Sequence, residues 1–281
     1  MANDSRVAVL IDADNVSPKY IKIILDEISK EDGVATYKRI YGDWTNPALV
    51  SWKHVLLDNS VLPVQQYSYT TGKNSTDSAM IIDAMDILYS GQVDGFCLVS
   101  SDSDFTRLAA RLRESGMTVM GMGESKTPSS FISACNQFKY LDILAAADEE
   151  ETEEPVKAPD PPKKQPAPNA KRAAKKPAKP KAKEEKQPER PDQKRQPEEP
   201  RTSLRTIRRA LRTIVRENSD EENWIFIGKV GNILGKRYPD FDVRNFGFSK
   251  LTPFLDSLDM FEIKSERKDS NSSPQMYIKL K

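Results

Sequence analysis

One stretch of the chain limits what the rest can build. Residues 149–202 contain 12 of the 19 prolines and no aromatic residue, and Val156 and a few alanines are their only apolar side chains. Such a segment cannot bury enough apolar surface to offset the entropy of ordering it, so it is expected to be a disordered linker. The 281 residues are therefore read as two domains, 1–148 and 203–281, on either side of it. Charge divides the same way. The net charge of +1 hides an acidic head (13 Lys/Arg against 21 Asp/Glu in residues 1–150), a basic linker and a basic tail (15 against 11 in residues 203–281). Between Lys163 and Lys183 the linker carries nine basic residues and no acidic one, which suits either a solvated spacer or a non-specific tether for a polyanion.

The head alternates apolar, strand-like runs with amphipathic stretches. Strands are expected at Arg6–Ile11, Val34–Tyr41, Val61–Gln66, Gly95–Ser100, Thr118–Gly121 and Lys139–Leu141. Helices are expected at Pro18–Ser29, Pro47–Asp58, Thr76–Tyr89, Asp104–Ser115 and Pro128–Ala134. Repeated β-α units imply an α/β domain, a parallel sheet with helices on both faces. The two cysteines, Cys97 and Cys135, lie in apolar contexts and read as buried free thiols in a reducing, cytoplasmic setting. One histidine and two cysteines leave little material for a zinc site. No run of apolar residues approaches the length of a membrane span.

In sheets of this kind ligands bind beyond the carboxyl ends of the strands. Strand one ends in IDADN, placing Asp12 where the apolar run stops. Strand four ends in SSDSDF, placing Asp102 and Asp104 at its end. With strand order 3-2-1-4-5 these two strands are neighbours. TTGKNSTD opens the helix before strand four and puts Asp77 in its first turn. Each aspartate alone would pass for a helix cap or a turn residue. Three segments converging on one rim instead make a cluster of like charges, which hard divalent cations with oxygen preference, Mg²⁺ or Mn²⁺, would neutralise. Asp12, Asp77, Asp102 and Asp104 are thus candidate metal ligands and catalytic groups. Asn15, Lys73, Ser101 and Ser103 are candidate contacts to substrate. Asp83, six residues beyond Asp77, falls on a different helix face and suits a structural role. Trp44 could stack on a base, whereas Trp52 at helical spacing suits the core.

The segments VLIDADN, YGDW, YTTGKNSTDSAMIIDAMDILYSG and DGFCLVSSDSDFTRLAARLRESG, extended by MGMGESKTPSSFISACNQFKYL, resemble the NYN family of PIN-like nucleases, which includes LabA-like proteins. The resemblance covers residues 6–141. It implies a PIN-like or flavodoxin-like fold and metal-dependent cleavage of RNA. It places the family's acidic motif on Asp12, Asp77, Asp102 and Asp104, with Asn15 accompanying.

The tail begins with LRTIRRALRTIVR, in which Leu204, Ile207, Leu211, Ile214 and Val215 form an apolar stripe. A second helix is expected to end before Pro239, and a third helix and a strand in VRNFGFSKLTPFLDSLDMFEIK. A polar turn and the strand QMYIKL complete a small α+β winged-helix domain. WIFIG, YPDFDVR and FGFSK resemble the OST-HTH/LOTUS family, which implies binding of RNA or docking of a protein partner. Arg244, Asn245 and Lys250 are the expected contacts to RNA there, while Phe241, Phe246 and Phe248 suit packing.

Three functions are compatible with these features. The first is an endoribonuclease that captures RNA on its basic segments, because an acidic head repels a polyanion. The second is a non-catalytic RNA-binding regulator or scaffold. The third is a phosphatase of the haloacid dehalogenase type, with Asp12 as nucleophile and Asp14 as acid/base, which the Asp-x-Asp spacing partly fits. The SSDSDF segment favours the nuclease.

Overall fold

The computed structural model describes residues 5–67, 75–152, 202–267 and 274–281. Lys73 and the stretch expected to be a linker lie outside the described residues, apart from the helical end of the first domain and Thr202. In the first domain the elements are β1 (Ser5–Asp12), α1 (Ile21–Lys30), β2 (Gly33–Gly42), α2 (Trp52–Asp58), β3 (Leu62–Gln65), α3 (Ser75–Ser90), β4 (Gly95–Val99), α4 (Thr106–Glu114), β5 (Thr118–Gly123), α5 (Ser129–Ala134), β6 (Gln137–Tyr140) and α6 (Leu141–Thr152). The six strands form a parallel sheet in the order β3-β2-β1-β4-β5-β6. This is a PIN-like α/β sheet with helices on both faces.

The near-continuous apolar strands follow from burial on both sides. Ala8, Leu10, Phe96 and Leu98 pack with α3, α4 and α5. The alternate residues Val9, Ile11, Cys97 and Val99 pack with α1, α2 and α6. Cys97 and Cys135 are buried and free, and burial pushes the Cys135 thiol up to about 12. Trp52 is buried in the core as expected. Two expected helices open as 3-10 turns, at Pro18–Tyr20 and Pro47–Leu49, because proline presets the first turn without an amide to bond. The sequence reading missed α6, whose acidic end carries the helix to Thr152.

The second domain contains α7 (Leu204–Asn218), β7 (Ile225–Phe226), α8 (Ile227–Arg237), α9 (Leu251–Ser257), β8 (Phe261–Glu266) and β9 (Gln275–Leu280). Its sheet has three antiparallel strands, β7-β9-β8, where two were expected; the short β7 pairs Ile225 with Ile278. The core joins Ile207, Leu211 and Ile214 of α7 to Val230, Leu234, Phe254 and Ile278. Phe241, Phe246 and Phe248 surround Phe254 with ring centroids 5.2–6.0 Å from it, so they pack as expected.

The second domain docks against the edge of the first. The Phe138 amide on edge strand β6 donates to the Pro239 carbonyl at 2.8 Å. An outward amide of an otherwise open sheet edge is thereby satisfied. The Tyr140 hydroxyl meets Asp240 Oδ2 at 3.3 Å. Beside it, Arg244 grips Glu27 of α1 with two hydrogen bonds of 2.7 Å. Lys139 lies 3.2 Å from Asp242 and 3.8 Å from Glu27.

Candidate functional site

Asp12 closes β1 with its side chain 1 % exposed. Both carboxylate oxygens are held. Oδ1 accepts from the Asp14 amide at 3.0 Å, and Oδ2 accepts from Asn15 Nδ2 at 2.7 Å and Ser100 Oγ at 2.8 Å. Burial raises its pKa, against the pull of the Asn15 and Ser100 hydrogen bonds. Ser100 follows β4 and is itself buried; its Oγ also accepts from the Asp102 amide at 3.1 Å. One hydroxyl therefore ties the ends of the two central strands together.

Asp102 caps the 3-10 turn Ser103–Phe105, accepting from the Asp104 amide at 2.9 Å. This places both carboxylates on the rim. The first turn of α3 is tied to the end of β1 through buried Thr76, whose hydroxyl donates to Asp14 Oδ2 at 3.0 Å. Asp77 follows. Asp77, Asp102 and Asp104 each offer one oxygen, and these three oxygens lie within 4.8 Å of one another. Burial first, and then the negative charges of Asp12, Asp102, Asp104 and Asp14, push the Asp77 carboxyl up to about 6. A group of hard oxygen donors that repel one another when ionised fits a divalent cation of the Mg²⁺ or Mn²⁺ class.

Of the four expected acids, three share a focus. Asp12 sits beside that focus, near enough to raise Asp77, with one hydrogen bond on Oδ1 and two on Oδ2. Asn15 orients Asp12. Ser101 Oγ accepts from the Glu124 amide at 2.9 Å, and Ser103 is exposed on the rim. β5 closes the floor at Gly123: a Cβ there would lie 2.6 Å from the Ser100 carbonyl and 2.7 Å from Thr127 Oγ1. Asp83 binds Arg39 and Tyr41 at the back of α3, the structural position expected of it. Trp44 packs partly into the core and donates from Nε1 to the Val64 carbonyl at 3.1 Å.

The sequence reading missed Ser100 and Thr76. Both are small hydroxyl residues within two positions of an aspartate, a common pairing that identifies neither without the contacts. In the second domain Arg244, expected to face RNA, is instead engaged with Glu27 and Asp242, with only 23 % of its side chain exposed. Asn245 donates to the Asp240 carbonyl at 2.8 Å, inside the same docking segment. Lys250 is exposed at the start of α9.

Comparison with known proteins finds two domain families in the chain. Residues 6–142 match the NYN domain, and residues 201–272 match the OST-HTH/LOTUS domain. Among solved structures, a Vibrio parahaemolyticus protein of unknown function is similar at 18 % identity and a TM-score of 0.42, over 50 % of this chain and 94 % of that one. No curated protein matches the chain.

Proposed function

We propose that this chain, an NYN domain (residues 6–142) followed by an OST-HTH/LOTUS domain (residues 201–272), is a divalent-metal-dependent endoribonuclease. The domains make it an RNA-related protein. The finer reading rests on one observation, the convergence of Asp77, Asp102 and Asp104 from two separated segments onto oxygens within 4.8 Å. These three residues would hold Mg²⁺ or Mn²⁺, and a cation bound there would activate water and polarise a phosphodiester. Asp12, clamped by Asn15 and Ser100, keeps the rim of β1 fixed and adds negative potential behind the cation. Thr76 fixes the first turn of α3, and so the reach of Asp77. Exposed Ser103 borders the site as a contact for the substrate's phosphates. The basic linker and second domain hold RNA that the acidic head would repel.

The phosphatase reading asks Asp12 to attack as a nucleophile. Its burial and its three hydrogen bonds oppose that role. The ribonuclease reading is tested by cleavage of a labelled single-stranded RNA with Mn²⁺, with Mg²⁺ and with EDTA. Cleavage should require the metal. Asp77→Asn and Asp102→Asn should each lower it by more than about a hundredfold, beyond the usual cost of losing an outer-sphere partner. Metal-independent binding without cleavage would make the chain a regulator.

A further inference from the structure

α7 buries Ile207, Ala210, Leu211, Ile214 and Val215 on one side. At 100° per residue, Arg205, Arg209, Arg212 and Arg216 fall within an arc of about 60° on the opposite side and extend along about 16 Å of helix. All four are exposed, and no other residue of α7 occupies that arc. No hydrogen bond or ion pair engages their guanidinium groups among the described residues. Arg208, off this line, behaves differently: its Nη2 donates to the Leu258 carbonyl at 2.7 Å, stapling α7 to the core. The line is made of arginine without lysine, and arginine is the side chain whose fork fits phosphate oxygens. Its spacing also costs stability, because like charges four residues apart repel along a helix, here Arg205 with Arg209 and Arg212 with Arg216. A bound polyanion would relieve that repulsion.

The stripe starts at the β6 edge of the sheet that carries the acidic rim. Thr202, just before α7, donates to Asp240 Oδ1, and Tyr140 donates to Oδ2 of the same residue. Tyr140 is the last residue of β6, so α7 begins one shared carboxylate away from the carboxyl-end side of the sheet, where Asp77, Asp102 and Asp104 converge. We infer that the Arg205–Arg209–Arg212–Arg216 face of α7 is a phosphate track that holds the RNA strand whose scissile bond reaches those acids. This deepens the ribonuclease reading and rests on it for the identity of the strand. Charge complementarity selects the occupant: four aligned, unneutralised forks suit a regularly spaced line of phosphates.

The test uses the full chain and a labelled 20-nucleotide uridine RNA in EDTA, which reads binding without cleavage. The dissociation constant is measured against salt concentration for the wild type and for Arg205→Gln/Arg209→Gln/Arg212→Gln/Arg216→Gln. Glutamine matches arginine in helix propensity, and an unchanged circular dichroism spectrum with a melting temperature no lower than the wild type's confirms that the variant folds. Each lost contact to a single strand should flatten the log–log salt slope by about 0.7, and four contacts by about 2.8. A parallel variant, Lys175→Gln/Lys176→Gln/Lys179→Gln/Lys181→Gln, removes four linker charges. The inference stands if the stripe variant flattens the slope by at least half the expected amount and weakens binding more than the linker variant does. It is overturned if affinity and slope match the wild type, or if the linker variant alone carries the loss. The two claims separate cleanly: a stripe-dependent slope in a protein that never cleaves RNA would sink the nuclease and leave the track, and metal-dependent cleavage with an indifferent stripe would do the reverse.

Discussion

Replacing Arg244 by alanine should loosen the second domain from the first without unfolding either. Arg244 makes two hydrogen bonds of 2.7 Å to Glu27, whose side chain is 3 % exposed, and one of 2.7 Å to Asp242 Oδ2. A charge-assisted hydrogen bond contributes about 1.5–3 kcal/mol net, and orphaning a buried partner costs about 3–5 kcal/mol. Here the orphans keep other cations. Glu27 retains Lys30 at 2.8 Å and Lys139 at 3.8 Å, and Asp242 retains Lys139 at 3.2 Å. The net loss should therefore lie near the lower end, about 2 kcal/mol. Hydrogen exchange at Phe138 reads it directly, because that amide bonds to Pro239 across the interface. A loss of about 2 kcal/mol corresponds to roughly 30-fold faster exchange there, while amides of central β1 should be unaffected. Arg244→Lys should recover only part of the protection, since it keeps the charge and loses the fork. Exchange at Phe138 changing by less than about threefold would refute the clamp as the source of docking.

Three further outcomes follow from the same contacts. Neighbouring Arg244 and Lys139 overcome burial to hold the Glu27 and Asp242 carboxyls down to about 2; their stabilising contribution is thus present above the ordinary carboxylate range and lost as pH falls toward 2, so Phe138 protection should collapse in acid before the β1 amides exchange. Asp77 has the opposite sign. Its folded pKa of about 6 exceeds its unfolded value, so it stabilises the metal-free protein at low pH and that contribution disappears as pH rises through about 6; a thermal melt should show this decline in EDTA, and Mn²⁺ should reverse it near neutral pH. Gly123→Ala should push on the Ser100 carbonyl and Thr127, shifting the support of Asp12 and Asp102; we expect RNA cleavage to fall at least as far as for Ser100→Ala, with a lower melting temperature.

The parts of this protein that could be read in the sequence share one property: the pattern and its cause are local. VAVLI and GFCLV are uninterrupted apolar runs because both faces of β1 and β4 are buried; burial ends at Asp14 after the first and at Asp102 and Asp104 after the second, while Asp12 stays inside. Joining Asp12, Asp77, Asp102 and Asp104 then required only the strand order, which the structure has. The division of labour proposed for the four was not legible, because it depends on Asn15 and Ser100 holding Oδ2 of Asp12 while the Asp14 amide holds Oδ1. Arg244 was read as an RNA contact for a related reason. YPDFDVR shows an arginine beside a turn, and nothing nearby in the chain announces a partner 217 residues away. β7 escaped notice because its two residues become a strand only through pairing with β9. α6 was obscured by a run of acids that resembles the start of the linker.

The central claim is that the Asp77–Asp102–Asp104 focus is a metal-dependent cleavage site for RNA. It is met most directly by the single-turnover rate on an end-labelled RNA in Mn²⁺ and in EDTA, with wild-type and Asp102→Asn proteins prepared side by side. Cleavage by the wild type is expected in Mn²⁺ alone, with near-complete loss in the variant. Equal rates for the two proteins in Mn²⁺, or wild-type cleavage that persists in EDTA, would contradict it.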